Sequence, residues 1–106
     1  MIITLNKNNM QKEVYDSTKP VIIDVYAKWC GPCQHMKPIF EQLAQELSSQ
    51  YTFAELNVDE AREAAVTLGI SSVPTFVFIK EGKIVGKETG SMPQEDLKQK
   101  IQEYLG

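Results

Sequence analysis

The chain predicts an α/β fold, a mixed β-sheet covered by helices on both faces. Three observations carry that expectation. Apolar runs of strand length alternate with helix-length stretches along most of the chain. The last two such runs, Thr75–Lys80 and Lys83–Thr89, are separated only by Glu81-Gly82, a hairpin signal. The run Val21–Ala27 (VIIDVYA) is almost continuously apolar, as a buried strand is. Alternation implies parallel strands joined by helices, and a hairpin implies antiparallel ones, so the sheet is mixed.

In order, Met1–Leu5 reads as a short edge strand. Asn8–Thr18 reads as a modest helix whose start is marked by asparagines, since a short side-chain oxygen can accept a free N–H of the first turn. Lys19-Pro20 breaks into the strand Val21–Ala27. Gln34–Ser48 reads as a long helix interrupted at Pro38, where a missing N–H and a ring clash predict a kink. Tyr51–Val58 alternates loosely and reads as a third strand. Asp59 is placed to cap a helix over Glu60–Leu68, which Gly69 ends. The final helix opens at Pro93, a favoured first position. Its early Glu95 and Asp96, later Lys98 and Lys100, and closing Gly106 suit the helix dipole and stop signals.

Composition narrows the function classes. A chain of 12.0 kDa with 42% hydrophobic residues can build one core, so a single domain over 1–106 is expected. There is no internal repeat, low-complexity tract or linker. A net charge of −3, with lysines scattered, argues against a nucleic-acid surface. The first residues, Met1-Ile2-Ile3-Thr4-Leu5, are too short an apolar stretch for a signal-peptide core. No run approaches a membrane span, and a cytoplasmic location is expected.

Cys30 and Cys33, the only cysteines, lie in Trp29-Cys30-Gly31-Pro32-Cys33, where the second strand hands over to a helix. A helix N-terminus offers free N–H groups and the positive end of the dipole, so it favours a thiolate over a thiol. Cys30 is placed to benefit, while Cys33, one turn on, is the less reactive partner. Residues i and i+3 share a helix face, within reach of a disulfide. A structural zinc site wants four ligands, and beside two cysteines the chain has only His35. A structural disulfide across two residues would constrain little of the unfolded chain. A redox dithiol explains the pair better than either, and no metal is expected.

Asp24 interrupts the apolar run Val21–Ala27. It either points to solvent or is buried with a partner or a proton. Ile23 and Val25 share one face, and Ile22, Asp24 and Tyr26 the other; both faces are mostly apolar, which favours burial.

Several motifs together resemble the thioredoxin family nearly end to end. They are Trp29-Cys30-Gly31-Pro32-Cys33 after a strand carrying Asp24, Pro38 five residues beyond Cys33, Val73-Pro74-Thr75 before a hairpin, and Gly90 before the last helix. The resemblance implies the thioredoxin fold, a central five-stranded mixed sheet with four flanking helices. The activity it implies is general protein disulfide reduction, which maintains cell redox homeostasis. Cys30 would attack a target disulfide, and Cys33 would resolve the mixed disulfide. Asp24 would take the proton of Cys33 as general base. Val73-Pro74 looks like the family's cis-proline loop, which would face the active cysteines and whose backbone would pair with an extended target. Trp29, Gly31, Pro32, Gly90 and Ser91 would complete a shallow contact surface, though Trp29 also reads as a packing residue.

The same resemblance implies no bound cofactor. Electrons would come from NADPH through a separate flavoprotein, thioredoxin reductase, and pass to disulfide-containing target proteins. Neither nucleic acid nor membrane is an expected partner, and a monomer is expected. Gly31 and Pro32 match the reducing members and would tune redox poise. One departure stands out: Glu55, of opposite charge, occupies the third-strand position from which many members place a lysine near the buried aspartate. Lys37, before Pro38, either replaces that cation or is a plain solvated lysine. Gln34 stands where a cation is common, and His35 reads as a surface residue. A non-catalytic binding module is the competing class, and an isomerase or oxidase the runner-up within the enzymes.

Overall fold

The computed structural model of the chain describes residues 1–106. The apolar runs pair into one five-stranded sheet. Strands β1 (Ile2–Thr4), β2 (Val21–Tyr26), β3 (Thr52–Asn57), β4 (Thr75–Lys80) and β5 (Lys83–Thr89) lie in the order β1-β3-β2-β4-β5. β1, β3 and β2 are parallel, β4 runs antiparallel to β2, and β5 antiparallel to β4. The sheet is therefore mixed, as expected. In the hairpin turn Glu81 and Gly82 both have positive φ, 53° and 77°, the twist that lets two residues join neighbouring strands.

Four helical elements cover it: one wide turn at Gln11–Tyr15, then α1 (Gly31–Leu47), α2 (Arg62–Thr67) and α3 (Gln94–Leu105). Strand alternation divides the core between them. Ile22, Phe53, Phe76 and Phe78 face Met36, Phe40 and Leu43 of α1 and Leu97 and Ile101 of α3. On the opposite face Val21, Ile23, Val25, Ala54, Leu56 and Val77 meet Val14 of the wide turn and Ala64, Ala65 and Leu68 around α2. Phe40 anchors the first layer, its ring edge-on to Phe53 with centroids 5.3 Å apart. Burying such a side chain stabilises by about 1.5–3 kcal/mol.

Several boundaries differ from expectation, each for a local reason. The helix expected over Asn8–Thr18 contracts to the wide turn, closed by the Asp16 N–H donating to the Gln11 carbonyl at 2.8 Å. The asparagines do not cap it: its N-cap is Met10, without a side-chain bond, and the Asn6 side chain instead accepts the Asn8 and Asn9 N–H groups, at 2.8 and 3.1 Å, in the turn that precedes it. α1 begins at Gly31, three residues before the expected Gln34, because Cys30 itself is the N-cap. It continues through Pro38. Pro93, expected as the first helical residue, is instead the N-cap of α3, with extended ψ of 155°.

Asp59 does not cap α2. The N-cap is Ala61, without a side-chain bond. Asn57 organises this turn instead. Its side chain accepts the Asp59 N–H at 2.9 Å, and its carbonyl accepts those of Glu60 and Ala61 at 3.2 and 2.9 Å. That extra turn displaces the helix start from Asp59.

Candidate active site

The site forms where β2 runs out and α1 begins. Cys30 has an extended backbone (φ −93°, ψ 114°), and its Sγ accepts the Cys33 N–H at 3.2 Å. A sulfur at the N-cap thus meets an N–H that the helix leaves free, the environment that stabilises negative charge on it. Cys30 and Cys33 have Cα atoms 5.2 Å apart and are joined as a disulfide. Both are buried, at 5% and 3% exposure, packed with Ala27 and against Tyr26, Val58 and Val73. Gly31 and Pro32 between them are exposed.

Val73-Pro74 leads into β4, the strand that pairs with β2, and so meets them at the same end of the sheet. The peptide bond between these residues is cis, and Cys30 Sγ lies 3.8 Å from the Val73 carbonyl oxygen. The Pro74 carbonyl accepts the Gly90 N–H at 2.9 Å, which sets Gly90 and exposed Ser91 beside the loop. Gly90 has a φ of 98°, a conformation that suits glycine. Trp29 is 72% exposed, yet its indole N–H donates to Asp59 Oδ2 at 2.9 Å. Trp29 and Val73 line a groove of about 550 Å³ with Val58, Val66 and Ile70.

Beneath the cysteines, Asp24 is buried at 6% exposure, and its Oδ1 has no hydrogen-bond partner. It lies on the α1 face of β2 with Ile22, as the alternation predicts. Burial first, and the Glu55 carboxylate second, push its carboxyl up from the ordinary 3.8 to about 7. Asp24, Cys33, Lys37 and Glu55 line one pocket of about 250 Å³, with Tyr26, Lys28 and Gln34. His35 is exposed on α1. No group of three or more His, Cys, Asp or Glu side chains converges as a metal site would require.

Sequence reasoning missed two features here. The Trp29–Asp59 bond joins residues 30 apart, and Asp59 was legible only as a helix cap. Tyr26 and Lys28 gave no sign that they share the Asp24 pocket, apart from the alternation that puts Tyr26 on the Asp24 face.

The family model for thioredoxin matches residues 1–103. The chain belongs to the thioredoxin family. Similar members include a thioredoxin of Chlorobaculum thiosulfatiphilum, 43% identical over 98 residues that cover 92% of this chain and 91% of the relative. A thioredoxin of Alicyclobacillus acidocaldarius is 38% identical over 103 residues, 97% of each chain. With this family and this cysteine pair, the chain is a thiol–disulfide oxidoreductase whose Cys30–Cys33 pair cycles between dithiol and disulfide. Thioredoxins need no bound cofactor of their own, and the family acts on disulfide-containing substrates and is served by a reductase.

Proposed function

We propose that the chain is a general protein disulfide reductase and that the residues around the cysteine pair divide the work. The observation that carries this reading is the pair itself at the head of α1, with Asp24 in one pocket with Cys33. Cys30, as thiolate, attacks a target disulfide. A Cys30–target S–S bond forms, and the other target sulfur leaves as a thiolate. Cys33 then gives its proton to Asp24, and the Cys33 thiolate attacks Cys30 Sγ. The Cys30–target bond breaks, the target leaves reduced, and the Cys30–Cys33 disulfide remains. With its proton affinity raised to about 7, Asp24 is closer to a thiol of ordinary pKa near ~8.5 than a solvated carboxylate is, which supports it as the acceptor.

Trp29, Val73, Pro74, Gly90 and Ser91 form the surface on which the target lies. Val73 supplies free backbone for strand-like pairing, which admits many sequences. Gly31 and Pro32 set the redox poise of the pair, and Lys37 offsets part of the negative charge around Asp24. Electrons reach the disulfide from NADPH through a separate flavoprotein reductase. The protein works in the cytoplasm as a monomer, and residues 1–106 form one domain. The single sheet and a Cα radius of gyration of 12.2 Å, near the ~13 Å usual for about 100 residues, support that last assignment. No helix is long and apolar enough to cross a membrane.

The deciding experiment compares Cys33→Ser with the wild type on a disulfide-bonded protein substrate. The serine variant should accumulate Cys30 mixed disulfides, visible as adducts on a non-reducing gel, while wild type turns over. If no adducts form, the reductase reading fails and a non-catalytic binding role takes its place.

A further inference from the structure

We propose that Glu55 and Asp24 act as one proton-sharing carboxylate pair, in which Glu55 sets where Asp24 takes and releases the Cys33 proton and gives that proton its way out. The proposal rests on the reading of Asp24 as the acceptor for Cys33. Glu55 touches neither cysteine in this scheme and works through Asp24, as a positioning residue.

Register supplies the first support. Asp24 and Glu55 are direct partners in the parallel β2–β3 pairing, so their side chains leave the same face of the sheet side by side. Both line the pocket that reaches Cys33, where Asp24 Oδ1 lacks a partner. About 250 Å³ bounded by polar groups is room for bridging water. Glu55 also lines a second depression, of about 410 Å³, with Met1, Ile2 and Glu41. It is the one residue common to the two cavities, and it is half-buried where Asp24 is buried. The pair therefore runs from the interior beneath Cys33 to the surface.

The chemistry calls for such a path, because an acid that gains a proton in each cycle must also lose it. When the Cys33 thiolate forms its bond to Cys30 and the target thiolate departs with the electron pair, Asp24 holds the Cys33 proton. Glu55 accepts that proton and releases it to bulk water, and both carboxylates are restored. The other ionisable groups are placed around this route. Tyr26 from β2, Lys28 beyond it, and Cys33 and Lys37 from α1 face the first pocket, and Glu41 of α1 faces Glu55 from the second. Glu60, beyond β3, acts on Tyr26. With both lysines in place, burial and Glu55 still hold the proton on Asp24 to about pH 7.

Glu55→Gln keeps the shape and removes the charge. The Asp24 carboxyl would be titrated by carbon NMR in wild type and E55Q. Resolution by Cys33 would be followed across neutral pH as release of thionitrobenzoate from its mixed disulfide with Cys30, in wild type, E55Q and D24N. In E55Q the Asp24 midpoint should fall by about one pH unit, the effect of removing an adjacent like charge, and the pH limb of resolution should move with it. D24N should lose that limb. If D24N keeps it, Asp24 is not the acceptor and the proposal falls with that reading. If D24N loses it while E55Q leaves either the midpoint or the limb in place, the pairing with Glu55 alone is overturned.

Discussion

Asp24 holds a carboxyl inside the sheet with one oxygen unpartnered, and that placement lowers the stability of the fold. Below pH 3.8 the group is protonated in the folded and unfolded chains alike, and it makes no difference between them. Between 3.8 and about 7 the unfolded chain releases the proton that the folded chain keeps, so stability falls as pH rises through this window. Above about 7 the loss is complete, at roughly 4 kcal/mol from a displacement of that size. Asp24→Asn should therefore be more stable than wild type at pH 8 by up to about 4 kcal/mol, with the gap closing near pH 4. Urea unfolding at the two pH values checks this, and a gap independent of pH would contradict it. If Lys37 offsets charge at the same site, Lys37→Ala should raise the Asp24 midpoint further; an unchanged midpoint marks Lys37 as a solvated surface lysine. The carboxyl's burial was legible from Ile22 and Tyr26 on its strand face. Its neighbour Glu55 followed only from the family resemblance and not from the residues' own pattern, because register between β2 and β3 is set by the whole sheet rather than by either strand.

At the level of elements, strands and long helices followed from their apolar period, and short elements did not. α1 and α3 bury a continuous stripe, so their patterns are strong. The wide turn and six-residue α2 are too short to carry a period, and side-chain bonds from Asn6 and Asn57 hold the turns that lead into them rather than the elements themselves. The β4–β5 hairpin shows a constraint of another kind. Its register shifts beside Phe78 and Ile79, and Gly86 of β5 lies under the Tyr104 ring of α3. A Cβ there would stand 2.3 Å from a ring carbon, and the ring cannot easily yield. It packs on Phe78 with centroids 4.7 Å apart, and its hydroxyl donates to Glu88 at 2.7 Å. Gly86→Ala should cost about 1–3 kcal/mol by overpacking, read from the denaturant midpoint, and Tyr104→Ala in the same chain should relieve most of it. A neutral Gly86→Ala would mean that α3 shifts freely over the hairpin.

For the whole molecule, the decisive quantity is the reduction potential of the Cys30–Cys33 pair, measured by equilibration in graded thiol–disulfide buffers and trapping of free thiols. A value well below the glutathione couple is expected of a reductase. A value near or above it would assign an isomerase or oxidase role to the same fold. By itself the sequence determined the α/β class, the hairpin, the cysteine pair at a strand-to-helix junction and the burial of Asp24, because each depends on neighbours along the chain or on a simple period. Only the tertiary structure decided what meets at the site. It brought the Pro74 carbonyl to Gly90 and Asp59 to the Trp29 indole, and it set Val73 against Cys30 and Glu55 in the pocket of Asp24 and Cys33, two meetings that the family resemblance implied and the residue pattern did not. These residues are far apart in sequence, and their meeting depends on strand order and register, which are collective properties of the packed sheet.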